Sequence, residues 1–174
     1  MKIRLLSYVI LLVLFVSCFS IKPQVTKTGK NLWEDFLVAP GVMQYFIKPL
    51  TFVSNDRSIE IDFTFRNISD SVTFNYSIYL NSSYIEPNAI IISNELMQTS
   101  AISPNTIFSE HIQKKYKLRQ TGKISLSEFK ILTKNNIWTI SVANDIMNDQ
   151  YFATQKTNKK IEIINSNLML QLNQ

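Results

Sequence analysis

The chain has 174 residues, which is enough for one domain with a sizeable core and a targeting segment. It is 45% hydrophobic and 18% charged, which excludes an intrinsically disordered protein, and its 3 glycines exclude a collagen-like one. The formal net charge of +5 is mild and spread along the chain, so we expect no nucleic-acid partner.

The first 17 residues have the pattern of an export signal. Lys2 and Arg4 precede an apolar run at residues 5–16, which is shorter than the roughly 20 residues that a membrane-spanning helix needs. We therefore predict a cleaved signal peptide over residues 1–17. Its removal would lower the net charge by two, because it contains Lys2 and Arg4.

The only cysteine of the chain indicates which kind of export signal this is. Cys18 follows directly after the apolar run and Ser17, and a single thiol cannot form an internal disulfide. Acylation would consume a thiol that would otherwise be exported free into an oxidising compartment. We therefore predict lipid attachment at Cys18. An ordinary cleaved secretory signal and an uncleaved membrane anchor are the two alternatives.

The sequence LFVSC at residues 14–18 resembles the lipobox of bacterial lipoproteins, in which a small residue precedes the lipid-bearing cysteine. With Ser before Cys, it is similar to the looser lipoboxes of Bacteroidota lipoproteins. The resemblance implies that a lipid anchor holds the protein at a bacterial cell envelope. Residues 19–22 lack an acidic cluster, so the same resemblance implies an outer-membrane lipoprotein that faces the periplasm.

The residues after Cys18 are predicted to be a tether. Residues 18–40 are mixed and polar and contain several proline and glycine breakers. Within this segment Trp33, Phe36 and Leu37 have the spacing of one short helical turn that lies against the domain. The domain itself is predicted over residues 41–174.

Alternating apolar and polar side chains predict strands in the domain. The clearest alternation runs over residues 59–66, and residues 72–80 repeat it after a polar turn, so we predict a neighbouring antiparallel pair. Residues 43–53 form a strand before them, in which Pro49 indicates an edge position or a bulge.

Shorter elements complete the prediction. Further strands are predicted at residues 89–93, 106–110, 112–118, 137–143 and 150–154. Ser125 and Glu128 have the spacing of a capping box and predict a helix over residues 126–134. Ile161, Ile164, Leu168 and Leu172 have the spacing of a C-terminal helix. The whole pattern predicts a mainly β fold, an immunoglobulin-like antiparallel β-sandwich with one or two short helices.

Four residues are candidates for ligand binding. Lys115, Lys117 and Arg119 lie in the densest basic stretch, and Tyr79 has the parity of the polar face of its strand. The cations suit an anionic glycan or lipid headgroup, and a tyrosine ring can stack on a sugar. The alternatives are that the lysines protect an edge strand from pairing and that the tyrosine only packs against the domain.

The sequence shows no constellation that indicates an enzyme. His111 is the only histidine, which argues against a Ser-His-Asp triad or a zinc site, and we interpret it as a surface residue. Glu60 and Asp62 share a strand face, as a glycosidase pair would, but they fit a solvated sheet face better. No phosphate loop or dinucleotide fingerprint is present, so we expect neither metal nor cofactor.

These expectations combine into one functional prediction. We expect a non-enzymatic, membrane-anchored binding or assembly module whose partner is a glycan or an envelope protein. A structural subunit or adhesin of a surface assembly is the alternative, and a secreted hydrolase is the least favoured class. The oligomeric state is left open.

Overall fold

The structure is a computed structural model that describes residues 32–55, 57–80, 86–102, 104–112, 115–145 and 148–172. The strands are β1 (Trp33–Ala39), β2 (Val42–Ser54), β3 (Arg57–Arg66), β4 (Ser71–Leu80), β5 (Ala89–Ser93), β6 (Gln98–Ile102), β7 (Asn105–Ile112), β8 (Lys115–Ser125), β9 (Thr139–Ala143) and β10 (Asn148–Ala153). The helices are α1 (Leu126–Thr133) and α2 (Gln155–Ile163), and a π-helical segment, Ile164–Met169, continues α2. The predicted signal peptide and Cys18 lie outside the described residues.

The ten strands of the described ranges form one antiparallel sheet. Its order is β6-β5-β9-β10-β2-β3-β4-β8-β7, and β1 pairs with β2 beside this path. β10 joins β2 through only two residue pairs, Phe152 with Val53 and Ala153 with Phe52. This bridge divides the sheet into a first wing (β1, β2, β3, β4, β8 and β7) and a second wing (β6, β5, β9 and β10).

The wings curl towards each other into a half-barrel, so that β6 contacts β8 across the open side. Arg57 and Asp149 connect the wings a second time, with hydrogen bonds of 2.6 and 2.8 Å from the guanidinium to the carboxylate. The predicted mainly β, antiparallel fold with short helices is confirmed. An immunoglobulin-like sandwich has two separate sheets, whereas here the bridge between β10 and β2 joins both wings into one.

The hydrophobic core lies between the two wings, and the helices cover it. Trp138, which is 1% exposed, stacks on Phe52 of the first wing with ring centroids 6.4 Å apart. Its edge meets Phe63 at 5.9 Å and Phe129 of α1 at 6.3 Å. The indole Nε1 donates hydrogen bonds to the backbone oxygens of Leu132 and Asn135, so this polar atom is satisfied inside the core.

Strand β1 corrects the predicted start of the domain. The sequence predicts a tether over residues 18–40, whereas Trp33–Ala39 pairs with β2 and Trp33 is only 6% exposed. The predicted helical turn at this place is therefore wrong, and the domain begins before residue 41. Strand β6 was not predicted, because its sequence QTSAI has little apolar alternation.

Several local predictions are confirmed. β3 and β4 are antiparallel neighbours, and the register of β2 shifts between Ile47 and Leu50, where Pro49 lies in a bulge. The C-terminal helical spacing is also correct, since Ile161, Ile164 and Leu168 are buried. The period of the apolar residues is sufficient for these elements because the buried apolar side chains of each element lie on a single face.

The capping box at the start of α1 has both of its hydrogen bonds. The Ser125 hydroxyl accepts from the backbone amide of Glu128 at 3.1 Å, and the Glu128 carboxylate accepts from the amide of Ser125 at 2.8 Å. The second carboxylate oxygen accepts from the Thr99 hydroxyl of β6 at 3.0 Å. The bond from the Ser125 amide, with those from the two hydroxyls, holds the pKa of Glu128 below its ordinary value of 4.5, against a smaller opposing effect of burial.

This pKa shift predicts a pH dependence of stability. The pKa of Glu128 is lower in the folded than in the unfolded chain, so its stabilising contribution is complete above the unfolded value and is lost as the pH falls through the folded one. We expect Glu128→Gln to lower the free energy of unfolding at pH 7 by less than about 1 kcal/mol, since Gln still caps.

Urea denaturation across the acid range provides the measurement. The difference between Glu128→Gln and the wild type should shrink as the pH falls below 4.5. Glu162→Gln is the matched control, because Glu162 is exposed on α2. A difference that stays constant with pH would show that the carboxylate charge makes no contribution.

Candidate functional site

A polar pocket of about 330 Å³ opens on the outward face of the first wing, on the side opposite the core. We call it the outer pocket. Its lining residues come from four neighbouring strands: Ser58 and Glu60 of β3, Ser77 and Tyr79 of β4, Lys117 and Arg119 of β8, and Phe108 of β7. Each strand contributes alternate residues, because successive side chains of a strand point to opposite faces.

The strand register brings the lining residues together. Glu60 lies opposite Ser77, and Ser77 in turn lies opposite Arg119. Tyr79 lies opposite Lys117 on the next strand. Side chains directly opposite each other in an antiparallel sheet have Cβ atoms about 5 Å apart, so these contacts follow from pairing alone.

Arg119 of the outer pocket forms an ion pair with the buried carboxylate of Asp62. Asp62 is only 2% exposed, and its carboxylate pairs with the Arg119 guanidinium and accepts a hydrogen bond from Asn75 Nδ2 at 2.8 Å. Arg119 also donates to the Ser77 hydroxyl at 2.9 Å. The interpretation of Glu60 and Asp62 as a solvated face is therefore wrong for Asp62, although Glu60 is exposed.

Two aromatic rings border the mouth of the outer pocket. Tyr79 is 44% exposed and Phe108 is 38% exposed. Lys117 lies between their strands, with its Nζ 5.7 Å from the Phe108 ring centroid and 3.6 Å from the Glu110 carboxylate. β4 and β7 flank β8, so the two rings belong to strands about 10 Å apart.

The charges of the outer pocket compensate each other. Arg119 pairs with Asp62, and Lys117 pairs with Glu110. Glu60 adds a further carboxylate to the lining. The arrangement therefore offers both hydrogen-bond donors and acceptors, without the one-signed field that attracts an anionic partner.

Three of the four predicted ligand-binding residues meet at this pocket. Tyr79, Lys117 and Arg119 line it, whereas Lys115 is exposed at the beginning of β8 and does not. The alternative interpretation of the lysines as edge protection is wrong, because β8 is paired on both sides and β7 is the edge. Phe108 was missed, because only the register places it beside Arg119.

A second pocket lies where β6 approaches β8, with a volume of about 450 Å³. Gly122 of β8 permits the close approach of β6, because an added Cβ at this position would lie 2.6 Å from Phe74 Cζ and 2.8 Å from Ala101 Cβ. The lining residues are Ser100, Ala101, Pro104, Asn105, Thr121, Gly122 and Lys123. Without an aromatic ring or a buried ion pair, this pocket has fewer features of a binding site than the outer pocket.

The only histidine of the chain lies outside the outer pocket. His111 is exposed on β7, and its ring contacts the ring of Tyr116 with centroids 4.9 Å apart. Over the parts of the chain that the structure describes, no group of three or more His, Cys, Asp or Glu could hold a metal ion. Within the same parts, no helix is long and apolar enough to cross a membrane.

Comparison with known proteins returned no matching family model, no matching curated protein and no matching solved structure.

Proposed function

We propose that this chain is a non-enzymatic, membrane-anchored envelope lipoprotein that binds a neutral glycan in the outer pocket. The observation that carries the proposal is the pair of half-exposed rings, Tyr79 and Phe108, at the rim of a polar pocket. The C–H faces of a sugar pack on aromatic rings, while its hydroxyls need nearby donors and acceptors. Ser58 and Glu60 supply hydroxyl and carboxylate groups, and both residues are exposed.

The balance of charge favours a neutral ligand over an anionic one. Both cations of the lining already have carboxylate partners, at Asp62 and Glu110. An anionic glycan or headgroup would have to compete with these carboxylates and would also meet Glu60. A neutral sugar would exchange hydrogen bonds with the same groups without separating either ion pair.

The location is part of the same proposal. The leader at residues 1–17 and Cys18 support a lipid anchor, and the residues after Cys18 support an outer-membrane position that faces the periplasm. We extend the proposal to the fold, in which the two wings would be sandwich layers that the bridge between β10 and β2 joins at one edge. The two wings share one core, which supports reading them as the two layers of an immunoglobulin-like sandwich.

Titration with soluble oligosaccharides, neutral and sulfated, tests the ligand. We expect the mature chain to bind a neutral oligosaccharide with an affinity that changes little with salt. Tyr79→Ala should weaken binding roughly tenfold, because it removes the area of one ring and its stacking. Phe152→Ala is the matched control, since Phe152 is an aromatic residue of the second wing that is 53% exposed.

Three outcomes would contradict this proposal. The first is a preference for sulfated oligosaccharides that weakens with salt, since it would indicate an anion site. The second is an equal loss of affinity in Tyr79→Ala and Phe152→Ala, since it would place the site elsewhere. The third is an absence of binding across the panel, which would leave the outer pocket without a glycan partner.

One observation favours the second candidate, a structural subunit or adhesin. Strand β7 is at the end of the sheet, all eight of its residues are exposed, and it contains no Lys or Arg. Edge strands without such protection can pair with strands of other chains. Sedimentation over a range of concentrations separates the candidates, because polymers would favour assembly and a persistent monomer would favour glycan binding.

A further inference from the structure

An apolar projection stands at the end of the sheet where β1 turns into β2. Phe36, Leu37 and Val38 are 39%, 47% and 44% exposed, and residues 39–41 are exposed as well. No charged residue occurs between Asp35 and Lys48. We call residues 36–42, together with Ile68 of the neighbouring turn, the apolar tip.

The turn between β3 and β4 extends the apolar tip and holds it in place. Ile68 on this turn is 71% exposed. Next to it, Asn67 donates from Nδ2 to the Gly41 backbone oxygen at 3.0 Å and accepts from the Met43 amide at 3.0 Å. Two turns are thus tied together, so their exposed apolar side chains form a single fixed surface.

We propose that the apolar tip inserts into the interfacial region of a phospholipid bilayer. Its shape supports a bilayer as the occupant, because the tip is a protruding hairpin end and not a groove that would receive a peptide. The space beside Gly41, at the turn itself, is open, since an added Cβ there would meet no atom within 4 Å. Apolar groups on an interfacial element reach about 5–10 Å into the boundary of headgroups and acyl chains.

The position of the apolar tip in the chain supports the same occupant. Fourteen residues lie between Cys18 and Trp33, where β1 begins, and the chain between these two residues spans at most about 50 Å. A lipid on Cys18 would therefore keep the tip within reach of the bilayer and raise its effective concentration there. This step rests on the proposed lipid attachment.

Depth-dependent fluorescence quenching tests the insertion in the lipidated full chain. The two native indoles are poor reporters of lipid, because Trp33 and Trp138 are 6% and 1% exposed. Leu37→Trp adds an exposed indole at the tip, and Phe152→Trp adds one far from it as the matched control. In phosphatidylcholine vesicles that contain brominated acyl chains, we expect loss of most of the added emission in Leu37→Trp and almost none in Phe152→Trp.

A second variant measures how strongly the apolar tip contributes to membrane binding. Leu37→Ser, made in a Cys18→Ala chain whose leader has been removed, should lower partitioning into the same vesicles roughly tenfold, as expected for loss of one buried leucine. Circular dichroism of each variant checks that the fold is retained. Equal partitioning of the chains with Leu37 and Ser at this position would overturn the inference.

The outcomes distinguish a failure of the proposed tip insertion from a failure of the proposed lipid attachment at Cys18. Mass spectrometry reports acylation at Cys18 independently of the quenching result. An acylated chain without quenching in Leu37→Trp overturns the insertion and leaves the proposed anchor standing. Quenching in a chain without acylation supports the insertion and overturns the anchor. A blue shift that depends on protein concentration and not on brominated lipid would show that a second copy of the chain covers the tip, which also overturns insertion.

Discussion

Arg119→Met is expected to destabilise the domain by about 3–5 kcal/mol, because it leaves Asp62 buried without its cation. Asp62 is 2% exposed, while the Arg119 side chain is 25% exposed, so the carboxylate depends on protein groups for its solvation. Asn75 would remain as a hydrogen-bond donor but carries no charge. Urea denaturation of the purified domain measures the change in the free energy of unfolding.

Two further variants make this prediction specific. The double variant Asp62→Asn with Arg119→Met removes both charges, so it should recover a large part of the lost stability. Arg66→Met is the matched control: Arg66 is exposed and its guanidinium donates to the Gln44 side chain, so we expect a change within about 0.5 kcal/mol. A cost at Arg119 no larger than that at Arg66 would mean that Asp62 is adequately solvated without the arginine.

Cys18→Ala is expected to abolish incorporation of a fatty-acid label into the protein in cells. The substitution removes the only thiol of the chain, and with it the predicted acceptor for acylation. Each buried methylene of an acyl chain contributes about 0.8 kcal/mol to membrane attachment, so loss of the acyl chains removes the largest expected contribution. Label incorporation and the mass of the mature protein are the two measurements.

Ser17→Ala is the matched control for this experiment. It keeps a small residue before the cysteine, so processing and labelling should continue. Label that persists in Cys18→Ala would place the lipid elsewhere. A native protein that carries an intact leader or a free thiol would remove the basis for the envelope location.

Elements with a clear apolar period could be predicted from the sequence. The apolar residues of β3 and β4 alternate and are buried, while the residues between them are more exposed except for Asp62 and Ser77, and the capping box at Ser125 starts α1 where its spacing indicates. Tyr79 was placed on the outward face by the parity of its strand. These features depend on residues close together in the sequence, and so a linear pattern is enough to reveal them.

Features that depend on strand register could not be predicted. Asp62 and Arg119 are 57 residues apart in the sequence, so no local pattern indicates that they form a buried pair. Phe108 reaches the outer pocket only because β7 pairs with β8, and the two wings join into one sheet through the short backbone pairing of β10 with β2. β1 could not be predicted for a different reason. Its residues 36–39 are all apolar and do not alternate with polar residues, so they lack the pattern of a half-buried strand.

The length of β3 sets the distance between the apolar tip and the outer pocket. Ser58 of the outer pocket and Arg66 beside the apolar tip lie at opposite ends of the strand, and eight residues of extended chain span about 26 Å. With the tip embedded in lipid, the recognition surface would stand about one small-domain diameter above the bilayer. It would therefore capture polymers that run close to the membrane and miss those in more distant layers of the envelope.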